Sequence, residues 1–349
     1  MAFEEYLREQ LARHPAMQPQ DVVKLCYQAA NGAEHLLSDP DRAKAYLERE
    51  YAETTACDGA LYEQISDRTV RINLSAWKAK NLPLSWLFSM FFATCRQKNE
   101  TGDTLAAYLQ KADSVLTAVG ADFSASQWKD YLLEYEKSGM PAVHHSERYR
   151  ANEHPAYRIA DSRFIRVIPI LERIKDRAVG DPPCIIAIDG RAASGKTTLA
   201  GTLAIILDAD VIHMDDFFVP PALRSEERFR IPGQNIHHER FCEEVLPHIA
   251  AKEGFSYRVF DCGVMDYNGK RQIGDKPFRI VEGSYSLHPI FGRYADITVL
   301  SDVSTEEQQA RILHRNGAEM LARFAARWIP MEEAYFSHYA IADRADIRV

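Results

Sequence analysis

Eight residues, Gly190-Arg191-Ala192-Ala193-Ser194-Gly195-Lys196-Thr197, limit what this 349-residue chain can fold into more than any other feature. They match G-x-x-x-x-G-K-[ST] without a gap, between an apolar run, Cys184 to Ile188, and a helix-like segment, Thr197 to Leu207. Glycines let such a backbone curl until successive N–H groups point inward at phosphate oxygens, and the following helix adds the positive end of its dipole. A chance glycine turn before a helix explains the loop alone; pattern, flanking strand and flanking helix agree only for a phosphate cradle. On this reading Gly190 to Thr198 bind the phosphates of ATP, Lys196 reaches the β- and γ-phosphates, and the Thr197 hydroxyl lies on Mg²⁺.

After Gly180-Asp181-Pro182-Pro183, short apolar runs alternate with helical patterns, as βαβ units require. The predicted strands are Cys184–Ile188, Val211–Met214, Tyr257–Phe260, Phe278–Val281 and Ile297–Leu300. They make a five-stranded, mainly parallel sheet, and with the loop an α/β P-loop NTPase three-layer fold over residues 181–349. Residues 1–155 read as a mostly α-helical domain, with runs beginning at Pro19, Asp39, Thr101 and Ser124 and one short strand, Thr69 to Leu74. The amphipathic segment Asp161 to Arg177 reads as a connecting helix within a linker of residues 156–180.

A triphosphate site alone does not separate kinases from GTPases, motors or switches. No NKxD-type guanine reader and no LSGGQ segment occurs. Acidic residues at strand ends carry the distinction. The second predicted strand runs into Asp215-Asp216-Phe217-Phe218, and a carboxylate at that edge faces the crevice of the phosphate loop. Asp215 is the expected general base; capping or solvation of the next segment is the competing reading for both aspartates. Glu282, after the fourth run, fits a Mg²⁺-holding role, against the plainer one of a turn carboxylate beside Gly283.

Gly190 to Thr197, Asp215-Asp216-Phe217-Phe218, Asn235-Ile236-His237-His238-Glu239-Arg240-Phe241, Phe260-Asp261, Glu282-Gly283 and an arginine-rich C-terminal segment together resemble the uridine kinase and phosphoribulokinase group of P-loop kinases, over about residues 181–349. The resemblance implies that Asp215 deprotonates the acceptor hydroxyl. The expected substrate-binding set is Asp216, Phe218, His237, Arg240, Tyr257 and Asp261. The group's Asn-x-Asp-x-Pro segment, whose aspartate helps to hold the sugar, maps onto Asn235-Ile236-His237. Here the chain departs: His237 replaces the aspartate and Glu239 stands where proline is usual, so a ribose-binding carboxylate is missing or comes from Asp261 or Glu239.

Arg311 and Arg315, then Arg323 and Arg327, form two pairs at helical spacing on either side of Asn316-Gly317. That pattern resembles a kinase lid, with Arg311 and Arg315 catalytic and Arg323 on ATP; a solvated face paired with Glu307 or Glu319 is the alternative. Trp328-Ile329-Pro330-Met331-Glu332-Glu333 reads as a structural helix exit and re-entry.

Composition narrows the partners. A net charge of −8 offers no basic footprint for nucleic acid. The six cysteines form no CxxC pair and read as reduced core thiols, and the most apolar stretch, Leu82 to Thr94, is broken by Pro83 and too short to span a bilayer. A cytoplasmic protein with a small-molecule substrate, no nucleic-acid partner and no membrane partner is expected. In the N-terminal half, Glu34-His35, His144-His145, Glu147 and His154 lack metal-ligand spacing, and Trp77, Trp86, Phe88, Phe91 and Phe92 read as core. That half is left three uses: docking on the other half, shaping the acceptor pocket, or driving homodimer formation. The sequence therefore predicts an ATP- and Mg²⁺-dependent phosphotransferase acting on a hydroxyl of a small metabolite, nucleoside or sugar-like. The alternative is an ATP-binding regulatory or interaction protein with a nucleotide-sensing P-loop domain.

Overall fold

Caps and apolar spacing place helices at the runs predicted from Pro19, Asp39 and Ser124 and along the described part of the run from Thr101, whose first three residues lie outside the described residues. The computed structural model describes residues 3–33, 39–96, 104–177 and 182–349. It divides into two units, Met1–Ile165 and Arg166–Val349. In the first, α1 (Phe3–Arg13) is followed by α2 (Pro19–Asn31), which opens with Pro19 in its first turn and Asp21 accepting from the Gln18 N–H at 2.9 Å. Asp39 caps α3 (Pro40–Glu53), Thr104 caps α6 (Leu105–Val119), and Ser124 with Gln127 forms a capping box on α7 (Ala125–Lys137). Leu7, Val22, Leu25, Cys26, Leu109 and Trp128 close one core between these helices.

The unit also holds a three-stranded antiparallel sheet of β1 (Tyr62–Gln64), β2 (Thr69–Asn73) and β3 (Tyr157–Asp161), ordered β1-β2-β3. Only β2 is legible locally, because β3 pairs with it across more than eighty residues of chain. Short helices α4 (Leu74–Ala79), α5 (Leu84–Cys95) and α8 (Glu147–Glu153) complete the unit, and Trp77, Trp86 and Phe91 are buried. His145 is buried between Asp21, 2.9 Å from its Nδ1, and the Tyr157 hydroxyl, 2.7 Å from its Nε2. Burial holds its pKa down to about 4. His154 caps α8 in a left-handed conformation. Glu34 and His35 lie outside the described residues.

The expected connecting helix is broken. β3 ends at Asp161, a 3₁₀ turn spans Ser162–Val167, and α9 covers only Ile168–Ile174, with Pro169 in its first turn. The division between units falls inside that turn, and Gly180 and Asp181 lie outside the described residues.

The second unit is built on β4 (Cys184–Gly190), β5 (Ala209–His213), β8 (Phe278–Glu282), β9 (Ile297–Ser301) and β10 (Ile347–Arg348), ordered β10-β9-β4-β8-β5, with every pairing parallel. β4 is buried along its whole length, as a continuous apolar run in a parallel sheet requires. Ile185 and Ala187 face a core with Ile212, Phe241, Val281 and Leu300, and α10 (Lys196–Leu207) packs on β4, β5 and β8. The unit ends in α13 (Thr305–Arg323), a π-helical turn Phe324–Trp328, α14 (Ile329–His338) and α15 (Ile341–Arg344).

The fifth strand differs from expectation. Tyr257–Phe260 belongs to β6 (Phe255–Asp261), which pairs antiparallel with β7 (Asp266–Ile273) outside the main sheet; the two-residue β10 takes the fifth place. In β6, Tyr257 and Phe260 are buried while Ser256 and Arg258 are exposed, as on a half-covered hairpin. β10 is too short to register as an apolar run. No helix among the described residues is long and apolar enough to cross a membrane.

Candidate active site

Parallel strands bring their carboxyl ends to one edge of the sheet, where ligands of such folds bind. Register does the rest: Glu282 at the end of β8 lies between Ile188 of β4 and His213 of β5. The loop after β4, the turn after β5 and the last residue of β8 thereby become neighbours.

The loop has the backbone of an anion cradle. Gly190 has φ of 153°, and a Cβ there would stand 2.1 Å from the Ser301 carbonyl oxygen. Gly195 has φ of 96°, and Ala193 is itself left-handed at φ of 58°. Gly190→Ala is therefore expected to destabilise the protein by about 2 kcal/mol or more, read as a fall in Tm, with weaker nucleotide binding. An unchanged melt would contradict the close approach. Asp189, fully buried, accepts from the Gly190, Tyr285 and Leu287 N–H groups and from the Tyr335 hydroxyl, all within 3.0 Å. The Ser194 hydroxyl is buried without a partner among the described residues.

Lys196 opens α10, and its Nζ donates to the Arg191 carbonyl at 2.8 Å. The Arg191 side chain turns outward to Glu333 and Asp302, so only its backbone serves the cradle. The Thr197 hydroxyl donates to Glu282 at 3.2 Å, and His213 Nδ1 lies 2.5 Å from the same carboxylate. A hydroxyl and a carboxylate at the phosphate loop are the donors Mg²⁺ takes when substrate phosphates and water complete its octahedron, so Thr197 and Glu282 fit that ion.

Asp215 stands on the 3₁₀ turn Met214–Phe217. Its side chain is exposed on the cavity wall, and the protein around it pushes its carboxyl pKa up, with a further push from Glu282, while Lys196 and His213 oppose it. It shares one cavity of about 1040 Å³ with Lys196, Thr197, Thr198 and Glu282. The four arginines expected to form a lid, Arg311, Arg315, Arg323 and Arg327, line the same cavity. The Asn-Gly break is present as predicted: Gly317, at φ of 81° and ψ of 171°, kinks α13 between the two pairs. Arg311 also donates to the Ala193 carbonyl at 3.0 Å. Two of the four are at the same time ion-paired on their helix, Arg311 to Glu307 and Arg323 to Glu319.

The structure brings one member of the expected substrate-binding set to the cavity and holds the others in bonds elsewhere. Phe218 lines the cavity; Asp216, His237, Arg240, Tyr257 and Asp261 do not. Asp216 is buried and held by the Tyr257 hydroxyl and Arg271 Nε, each at 2.9 Å, because its neighbour in sequence points the other way on a tight turn. Arg240 is buried over the Phe217 ring and donates to the Asp216 and Arg258 carbonyls. His237 opens α12 (His238–Glu244), with its ring 3.3 Å from the Tyr267 hydroxyl. Asp261 holds the β6–β7 turn through Gly263 and Asn268, and the Asn268 bond lowers its pKa. Cys57 and Cys262 are exposed instead of being core thiols, and Cys262 lines the cavity.

Other lining residues carry no local signal in the sequence. Arg166 reaches within 3.2 Å of where a Gly195 Cβ would sit. Glu332 accepts from the Ala192 N–H and the Ser284 hydroxyl, each at 2.8 Å, so the segment read as a structural helix exit braces the cradle. Arg224 and Asn235 line the same cavity.

A central buried strand, a glycine-rich loop opening a helix and carboxylates on the adjacent strand ends are now together. The second unit has a P-loop NTPase fold. A uridine kinase candidate from Bacillus stearothermophilus aligns with this chain at 21% identity over 50% of it and 98% of its own length, with a TM-score of 0.38. A candidate fructose transport system kinase from Silicibacter sp. TM1040 aligns at 21% identity over 54% of this chain and 98% of its own, with a TM-score of 0.44. No family model matches the chain, and no curated protein matches it.

Proposed function

We propose that this protein is an ATP- and Mg²⁺-dependent phosphotransferase that moves the γ-phosphoryl group of ATP to a hydroxyl of a small metabolite. The observation that carries this reading is the single cavity shared by the phosphate cradle, Asp215 and four lid arginines. At about 1040 Å³ it is at the upper end of small-molecule sites, enough for a triphosphate and a small acceptor together.

Asp215 accepts the proton of the acceptor hydroxyl as its oxygen bonds to the γ-phosphorus and the bond to the β-bridging oxygen breaks, releasing ADP. A base with a raised pKa suits that task, since it takes the proton more readily than an ordinary carboxylate. The cradle amides and Lys196 hold the β- and γ-phosphates, and Thr197 with Glu282 holds Mg²⁺. The ion, when bound, offsets charge on the phosphate oxygens. Arg311, Arg315, Arg323 and Arg327 neutralise charge gathering on the transferred group and exclude water that would hydrolyse ATP.

ADP release measured against a panel of hydroxyl compounds tests the reading. Acceleration by at least one acceptor, with stoichiometric appearance of its phosphoester, is expected. ATP binding that changes partner binding, with no acceptor across the panel, would favour a nucleotide-sensing role instead.

A further inference from the structure

Asp21, Lys24 and Gln28 stand at spacings of three and four on α2 and so share one face of that helix. Polar residues in such a stripe ordinarily face water. Here all three are buried, with exposures of 1%, 9% and 2%. Arg71 of β2, 6% exposed, reaches the same face and donates to Gln28 Oε1 from Nη2 at 2.7 Å and from Nε at 3.2 Å. Gln28 is one turn from Lys24, so two cations are enclosed as neighbours in the first unit.

Most of this buried network is satisfied from within. Asp21 accepts from the Ser146 N–H at 2.9 Å and the Ser146 hydroxyl at 2.6 Å, besides its bonds to Gln18 and His145. The Tyr157 hydroxyl, bonded to His145, also accepts from Gln28 Nε2 at 3.1 Å, and the Arg71 guanidinium lies 4.5 Å from the centre of the Tyr157 ring. Glu63 is taken by the Tyr6 hydroxyl at 2.7 Å and by Arg13 at 3.3 Å.

The two cations are the exception. Lys24 Nζ carries three protons and meets one acceptor among the described residues, the Val143 carbonyl at 3.4 Å. Arg71 Nη1 reaches only the Tyr6 hydroxyl at 3.4 Å and Gln10 Oε1 at 3.5 Å, both beyond the usual N–H···O range of about 2.7–3.2 Å. No ion pair to either cation is found among the described residues, since Asp21 is engaged with His145 and Ser146, and Glu63 with Arg13 and Tyr6. A paired lysine has its pKa raised, as Asp208 does for Lys276. Lys24 is instead held down to about 8, first by burial and then by the charge of Arg71, with Asp21 opposing and Arg150 adding to the fall. Burying a cation without a counter-charge is strongly unfavourable, and here two such groups stand together.

We propose that the first unit holds a binding site for a small oxyanion, a carboxylate or phosphate group, which accepts from Lys24 Nζ of α2 and Arg71 Nη1 of β2. The oxyanion replaces the long contacts to Val143, Tyr6 and Gln10 with charge-assisted bonds, which are about twice as strong as neutral ones. Water would fill the same donors but leave both charges uncompensated. The Asp21–His145–Tyr157–Gln28 chain fixes the surroundings: it holds Gln28 against Arg71 and keeps the Asp21 carboxylate turned to its own donors. All of these residues belong to the first unit, so the site does not depend on the phosphotransferase reading of the second.

The test is calorimetric titration of the full chain, saturated with Mg²⁺ and a non-hydrolysable ATP analogue so that the phosphate cradle is filled. Inorganic phosphate, sulfate and succinate are the probes, each against chloride at equal ionic strength. At least one probe is expected to bind one-to-one below about 10 mM, and the phosphate and succinate arms show which group is preferred. Lys24→Met, which keeps the length of the side chain and removes the charge, is expected to weaken that binding at least tenfold while the affinity for the nucleotide analogue stays the same. No binding beyond the chloride control overturns the proposal and leaves the cations a purely structural network; so does binding that survives in Lys24→Met. Hydrogen exchange of the wild-type chain is the second readout, because the bound oxyanion slows exchange in peptides covering α2 and β2. If Lys24→Met fails to fold, that pattern decides: slowing in both elements supports the site, and unchanged exchange there overturns it.

Discussion

Replacing Asp215 by Asn is expected to lower kcat by about 10²-fold or more while the affinity for ATP stays within about threefold. The substitution keeps the shape of the side chain on the Met214–Phe217 turn and removes only its ability to take a proton. Lys196, Thr197 and Glu282, which hold the nucleotide and its ion, are untouched. The pH dependence sharpens the expectation. A base works only when unprotonated, and the folded environment raises the Asp215 pKa, so kcat/KM falls as pH drops through a value above that of an ordinary carboxylate. That acid limb should be missing in Asp215→Asn. Coupled-assay kinetics across pH, with calorimetric ATP binding, measures both. Equal turnover in variant and parent would remove Asp215 from the mechanism.

Lys196→Ala is expected to cost more than Asp215→Asn in one respect: it impairs both steps, weakening ATP binding by at least tenfold and transfer by about 10²–10³-fold. Lys196 is nearly buried, and its Nζ is already held at the Arg191 carbonyl, so its charge sits in place before nucleotide arrives. Preorganised charge of this kind stabilises developing phosphate charge without a cost of reorganisation at the moment of reaction. There is a second readout. Lys196 is one of two groups that pull the Asp215 pKa down, so its loss moves the residual acid limb to higher pH. A variant with parental ATP affinity and an unmoved pH profile would contradict the electrostatic link between the two residues.

The parts of the site legible beforehand are those whose chemistry is written in contiguous residues. Gly190 to Thr197 specify a loop because each position answers a local demand: φ beyond ordinary reach at Gly190 and Gly195, a cation and a hydroxyl at the helix start. Asp215 and Glu282 could be read because each ends an apolar run, and parallel pairing puts run ends at one edge. Asn316-Gly317 announced the kink between the arginine pairs. The features that local pattern did not place have the opposite character. Asp216 differs from Asp215 by a single position, yet on a 3₁₀ turn that step reverses the direction of the side chain, toward Tyr257 and Arg271. Tyr257–Phe260 was a strand by pattern, and only its partner decided which sheet it joined.

The sequence by itself determined the phosphate cradle, the strand-end carboxylates and the helical character of the first unit, because backbone conformation and apolar period are set by neighbours within a few residues. The tertiary structure alone decided that β10 completes the sheet, that Glu332 braces the loop from 140 residues away, and that Arg224 and Asn235 join the lining of the cavity. Those choices depend on which distant surfaces meet when the core closes, and burial and ion pairing act on that meeting with no trace in local spacing.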